Sequence, residues 1–253
     1  MSAKSSTAVK EIEVFNPATE EKLGAVPYST TDDVVKAVEA AESNFKRWKD
    51  TSANVRAELL HGAADKMRKH QKKLIELLTL EQGKPVPENE EEMEWVINTF
   101  DYYAELGRHE RGRVLPSNEP SQLNIVVKEP FGVVACILPW NYPLLLLAWK
   151  VAPALAAGNT VVIKPSRLTP LSTMYDGARC LDSSQRVINV VNGLGPDVGE
   201  TLVKHPAVRA IAFTGSVATG QRIASLAAPA MKKLHLELGG KDAFVIAEDA
   251  DRK

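Results

Sequence analysis

Apolar positions in the first part of the chain recur at helical spacing. From Gly132 onward they gather into short continuous runs. In "STTDDVVKAVEAAESNFKRWKD", Ser/Thr/Asp capping chemistry precedes Val34, Val35, Val38, Ala41 and Phe45, which predicts a first helix. The same spacing predicts a second helix over Ala53–Lys69, a third over Lys72–Glu81 stopped by Gly83 and Pro85, and a fourth over Asn89–Leu106. Met93, Val96, Ile97, Phe100 and Tyr103 share one face of the fourth. Residues 30–106 therefore read as an antiparallel helical layer. Residues 12–28 are short and partly alternating, as in an entry strand or hairpin, and 122–132, "QLNIVVKEPFG", reads as a protruding hairpin arm.

The later runs have a different character. "GVVACIL" is a continuous β-rich apolar run, as in a strand covered on both faces; "TVVIKPS", "RVINVVNG", "AIAFTGS" and "KLHLELGG" read as further apolar strands, and "DAFVIAE" predicts a sixth. Helical stretches such as "LLLLAWKVAPALAAG", stopped by Gly158, separate several of them. That alternation predicts βαβ units and a parallel sheet over 133–253, whose ligands sit at the carboxyl ends of the strands.

Composition narrows the function classes. The 253 residues suit one large domain or two small ones. A net charge of −1 argues against a nucleic-acid binder that works by bulk charge. Two cysteines build no disulfide framework, so a reducing compartment is the default. The expected location is the cytoplasm, with organelle import left open. The uncharged run Pro130–Trp149 has the length of a membrane span, yet Pro130, Pro139, Pro143 and Asn141 make strand–turn–helix the better reading. The five histidines show no ligand spacing, and no metal is expected.

The unusual residues fall at predicted strand ends. Asn141 lies in "PWNYP", where a rigidly held carboxamide could donate to a developing oxyanion or simply satisfy its own turn. Lys164 ends "VVIK" and suits a ribose hydroxyl or phosphate, or solvent. Gly193, Gly195 and Gly199 follow a strand as G-x-G-x-x-x-G, close to a dinucleotide fingerprint. Phe213, Thr214, Gly215 and Ser216 lead from a strand into a helix whose free amides suit phosphate. In "LHLELGGK", Glu237 could act as a general base or cap a backbone amide.

Taken in order, "VFNPATEE", "EQGKP", "PWNYPLLLLAWKVAPALAAGNTVVIKPS", "TPLS", "FTGS" and "LELGGK" resemble the aldehyde dehydrogenase superfamily along almost the whole chain. The resemblance implies a Rossmann-like sheet, NAD or NADP as cofactor, a small aldehyde as substrate, and a homo-oligomer in the full-length family. It implies roles as well. Asn141 matches the oxyanion-binding asparagine and Glu237 the general base. Trp140, Lys164, Ser166, Arg167, Gly195, Gly199, Phe213, Thr214, Gly215, Ser216, Leu238 and Gly239 match cofactor positions, and Lys150 a lysine near the active site. "PWNYP" with Tyr142 resembles betaine- and amino-aldehyde members.

The sequence departs from that family in three places. The family's nucleophilic cysteine follows the glutamate by some tens of residues, and no cysteine lies between Glu237 and Lys253. The expectation is an incomplete aldehyde dehydrogenase fold without the catalytic domain, inactive by itself; the alternative is a nucleotide-binding or subunit-pairing module. Arg167 stands where many members have glutamate, which predicts tolerance of NADP. The stretch Tyr175–Arg186, with Gly177 and the Asp182, Ser183, Ser184 cluster, predicts a shortened helix.

Overall fold

The computed structural model describes residues 10–109, 112–181 and 186–251. Two short strands, β1 (Glu11–Phe15) and β2 (Lys22–Pro27), form the entry hairpin. Three helices follow: α1 (Thr31–Lys49), α2 (Ala53–Gln82) and α3 (Val86–His109). Thr30 and Asp33 close a capping box on α1, an arrangement that contributes about 1 kcal/mol. Gly83 takes φ +85° at the end of α2, a left-handed cap that costs glycine little. An outlying pair, β3 (Arg113–Leu115) and β4 (Asn124–Val126), is antiparallel. The remaining elements are β5 (Val133–Ile137), α4 (Pro143–Ala156), β6 (Thr160–Lys164), α5 (Leu171–Arg179), β7 (Ile188–Val190), α6 (Glu200–Lys204), β8 (Val208–Gly215), α7 (Val217–Ala227) and β9 (Lys233–Leu238).

The five strands form one parallel sheet in the order β7-β6-β5-β8-β9. Its two faces divide by parity. Val134, Cys136, Val161 and Ile163 pack against Met67, Leu74 and Leu78 of α2, Met93 and Phe100 of α3, and Leu147 of α4. Val133, Ala135, Ile137 and Val162 pack against Val34 and Val38 of α1, Leu202 of α6 and Ile223 of α7. Both faces of β5 and β6 are thus covered, which is why their sequences alternate in no polar residue. Helix α4 is held at its carboxyl end by two long side chains. Trp48 Nε1 donates to Leu155 O at 3.2 Å, and Arg56 Nε donates to Ala156 O at 3.0 Å.

Several expectations change. The second and third predicted helices are one helix, because residues 69–72 hold neither proline nor glycine and nothing interrupts the hydrogen-bond ladder. The helices do not form one layer: α1 covers the opposite sheet face from α2 and α3. The hairpin arm pairs 113–115 with 124–126 rather than lying within 122–132. The predicted sixth strand, "DAFVIAE", is not a strand; residues 241–247 are exposed and pair with no other strand among the described residues. Helix α5 ends at Arg179, and the Asp182, Ser183, Ser184 cluster lies outside the described residues. No described helix is long and apolar enough to cross a membrane, and no His/Cys/Asp/Glu cluster among the described residues could hold a metal.

Candidate functional site

Strand order reverses at β5, where the chain steps to β6 on one side and later to β8 on the other. A parallel sheet opens a crevice at such a point, beyond the carboxyl ends of the strands. Two cavities lie there. The first, of about 540 Å³, is lined by Ile137 and Leu138 after β5, by Lys164, Ser166 and Arg167 after β6, and by Phe213 of β8, with Gly195, Gly199 and Arg222 across from them. Gly195 through Gly199 form a single wide π-type turn leading into α6, so the glycine spacing read from the sequence does open a helix. A side chain at Gly195 would meet open space, whereas Gly199 lies against the Lys164 stem at 3.8 Å.

Lys164 is buried, and burial pushes its pKa down to about 8. Its ammonium donates to Pro165 O at 3.1 Å and forms no ion pair among the described residues. A desolvated ammonium at the rim of a crevice, short of acceptors, fits a ligand rich in hydroxyl or phosphate oxygens. Arg167 is exposed on the same rim. Opposite it, Arg222 is already engaged by Glu200 at 2.9 Å; Arg222 and Lys204 together pull the Glu200 carboxyl down to about 2.

The second cavity, about 960 Å³, holds Asn141, Thr214, His235 and Glu237 together with an aromatic wall of Trp95, Tyr102, Tyr103, Tyr142 and Trp149. A polar relay crosses its floor. Lys150 Nζ donates to Thr214 Oγ1 at 2.7 Å, and the Thr214 hydroxyl donates to Glu237 Oε2 at 2.9 Å. Burial lowers the Lys150 pKa, against the opposing pull of Glu237. Glu237 itself is exposed, so its carboxylate faces water and whatever enters the cavity. Both cysteines are buried, and burial pushes the Cys136 thiol up to about 12 and the Cys180 thiol above its ordinary value as well. Neither is a nucleophile at neutral pH.

The structure therefore brings Asn141, Thr214 and Glu237 to one cavity and Lys164, Ser166, Arg167, Gly195, Gly199 and Phe213 to the other. Trp140, Gly215, Ser216, Leu238 and Gly239 line neither. Ser216 instead caps α7 through the Thr219 N–H at 3.2 Å. The ring of Phe213 closes over Gly215, where a Cβ would sit 2.5 Å from it, and Leu238 closes over Gly220 at the same distance. The aromatic wall and the bridging role of Thr214 were not expected from the sequence. Trp95, Asn98, Thr99 and Tyr102 do form an i, i+3, i+4, i+7 stripe on α3, the signal that could have found them.

Residues 3–253 match the aldehyde dehydrogenase family. An aminoaldehyde dehydrogenase of Zea mays is 42% identical over 250 residues, covering 95% of this chain and 49% of the relative. A D-glyceraldehyde dehydrogenase (NADP(+)) of Thermoplasma acidophilum is 38% identical over 248 residues, covering 97% and 50%. The crystal structure of betaine aldehyde dehydrogenase from Staphylococcus aureus in complex with NAD+ superposes with a TM-score of 0.87 at 36% identity, covering 91% of this chain and 46% of that one. The chain spans about half the length of the curated relatives it matches.

Proposed function

Since the chain belongs to the aldehyde dehydrogenase family, we propose that it is the cofactor-binding part of an enzyme that oxidises an aldehyde to a carboxylic acid with NAD or NADP. The observation that carries this reading is the pair of cavities near the switch point of the sheet, one suited to a polyhydroxylated anion and one to a small organic substrate. In this reading residues 1–253 form one unit, with the Rossmann-like part over 133–253.

Lys164 and Ser166 would hold the adenosine ribose, and Arg167 would tolerate or pair with a 2′-phosphate. The Gly195 turn and the start of α7 would lie along the pyrophosphate. When bound, the nicotinamide supplies the hydride acceptor. Asn141 would donate its carboxamide N–H to the oxyanion that forms when a thiolate adds to the aldehyde. Glu237 would take a proton from the water that releases the acid, and the Thr214 hydroxyl, itself held by Lys150, would orient its carboxylate through their hydrogen bonds. The thiolate comes from outside these 253 residues, since both cysteines here are buried. The aromatic wall above Glu237 suits a substrate with a cationic end, by cation–π attraction and by charge.

The second reading, a nucleotide-binding or subunit-pairing module of the same fold, draws on that absence of a usable thiol. Calorimetric titration of the purified chain separates the possibilities. Saturable binding of NAD+ or NADP+, weakened by Lys164→Met, supports the cofactor site, and no binding of either overturns it. Aldehyde-dependent reduction of the cofactor by this chain alone, at a rate near that of intact relatives, would overturn the expectation that its thiols take no part.

A further inference from the structure

Asn141 sits on a turn whose two flanks are held from another part of the fold, the junction of α2 and α3. Gln82, the last residue of α2, donates through Nε2 to the Asn141 backbone oxygen at 2.9 Å. Its own Oε1 accepts the Lys84 N–H at 3.0 Å. Glu92 on α3 is fully buried, and its Oε1 accepts from both Leu144 N–H and Leu145 N–H at 3.1 Å. Those are the first two donors α4 has to offer. Tyr142 at the N-cap makes no side-chain cap, and Pro143 has no N–H. The other carboxylate oxygen of Glu92 accepts from Lys84 Nζ at 2.5 Å, and that ammonium lies 3.7 Å from the Tyr142 ring centroid. Trp95 stacks with the same tyrosine ring, their centroids 6.5 Å apart.

A serine at position 142 would cap α4 without burying any charge. This chain instead desolvates an ion pair, a costly arrangement unless it fixes something in place. What it fixes is the five-residue segment from Asn141 to Leu145, where every residue but Pro143 is touched by Gln82, Lys84 or Glu92. We propose that Glu92, neutralised by Lys84, is a positioning residue that sets where the Asn141 carboxamide points, with Gln82 as the second anchor. The proposal rests on Asn141 being the oxyanion donor, a role in which displacement by a fraction of an ångström weakens the contact. Glu81 makes the same kind of cap on α5, accepting from Leu171 N–H at 2.6 Å and Ser172 N–H at 2.9 Å, but touches nothing on the Asn141 turn. It serves as an internal control.

Two double variants separate positioning from stability, because each removes both buried charges together. Lys84→Met with Glu92→Gln keeps an acceptor for the α4 amides, and Lys84→Met with Glu92→Leu removes it. In the 253-residue chain, the Leu pair should speed amide hydrogen exchange at Leu144 and Leu145 by about tenfold or more and move the Asn141 side-chain NH₂ resonances toward those of a free asparagine. The Gln pair and Glu81→Gln should leave both unchanged. Tryptophan quenching by 5-aminopentanoate, a short ω-ammonium carboxylate, reads the site itself: the Leu pair should weaken it roughly fivefold, and Asn141→Ala should do the same. Asn141 resonances indistinguishable from the native chain in the folded Leu pair overturn the proposal. If the Leu pair does not fold, Gln82→Met, which frees the Asn141 carbonyl and the Lys84 N–H but leaves Glu92 in place, must shift those resonances or the proposal fails. Unaltered 5-aminopentanoate affinity in Asn141→Ala sinks the oxyanion reading while the resonance test of positioning still stands.

Discussion

At the scale of single residues, the crevice turns on two cations that follow the same strand. Lys164 has a pKa of about 8 because burial strips its water. Its ammonium therefore persists below that pH and is lost above it. Cofactor affinity of the chain should fall as pH rises through about 8, and the slope should vanish in Lys164→Met; titrations between pH 7 and 9 check this. Arg167 is the residue proposed to discriminate between cofactors. Replacing it with glutamate should weaken NADP+ about tenfold while leaving NAD+ within about twofold, because only the former carries a phosphate to be repelled. Equal loss for both would overturn a role for Arg167 in telling the two cofactors apart. The placement of Asn141, Lys164 and Thr214 was legible in the sequence for a simple reason: each ends or follows a continuous apolar run, so it falls at the sheet's carboxyl edge, whereas Glu237 closes an alternating strand, "KLHLEL". The aromatic wall was not, because Trp95 and Tyr102 lie on a helix and are 42% and 61% exposed, so they read as solvated surface. Their partner across the cavity is Glu237, remote in sequence.

At the scale of elements, strands with uniform apolar sequence were readable and the short or edge pieces were not. The run "RVL" is three residues long, too short to show a period, and "DAFVIAE" has a strand's composition without a neighbour to bond. No local rule announces that buried carboxylates would cap α4 and α5 from α2 and α3. One of them makes stability depend on pH. Burial raises the Glu81 pKa to about 7 despite the opposing Leu171 and Ser172 amides, and burial raises Asp176 to about 7 as well. Between the ordinary carboxylate range and that value, the folded chain keeps protons that the unfolded chain has released. Unfolding free energy should therefore fall as pH rises from about 5 to 7 and level off beyond. Glu81→Gln should remove about 1–2 kcal/mol of that decline, measured by urea denaturation across the range.

At the scale of the whole molecule, the core is sealed on both sheet faces while the periphery is not. Val114, Leu123, Ile125 and Val127 stand exposed on and beside the β3–β4 hairpin, as do Phe244, Val245 and Ile246 after β9. Isolated chains with such patches associate. Sedimentation should show concentration-dependent oligomers, reduced by Leu123→Ser with Ile125→Ser; a monomer that binds no hydrophobic dye would contradict this. The unbroken α2 has a different consequence. Arg56 near its start is tied to the end of α4, while Glu81 and Gln82 at its other end are tied to α5 and to the turn before α4. Between these ties the helix acts as a ruler, and its outer surface is polar enough to suggest freedom it does not have. One inserted residue would rotate everything beyond it by about 100° and advance it by about 1.5 Å. Chain-length variation should thus be tolerated in the loop between β3 and β4 but excluded near Gln71, where nothing in the local sequence forbids it: an alanine added after Pro120 should leave the melting temperature unchanged, and the same alanine after Gln71 should abolish the soluble fold.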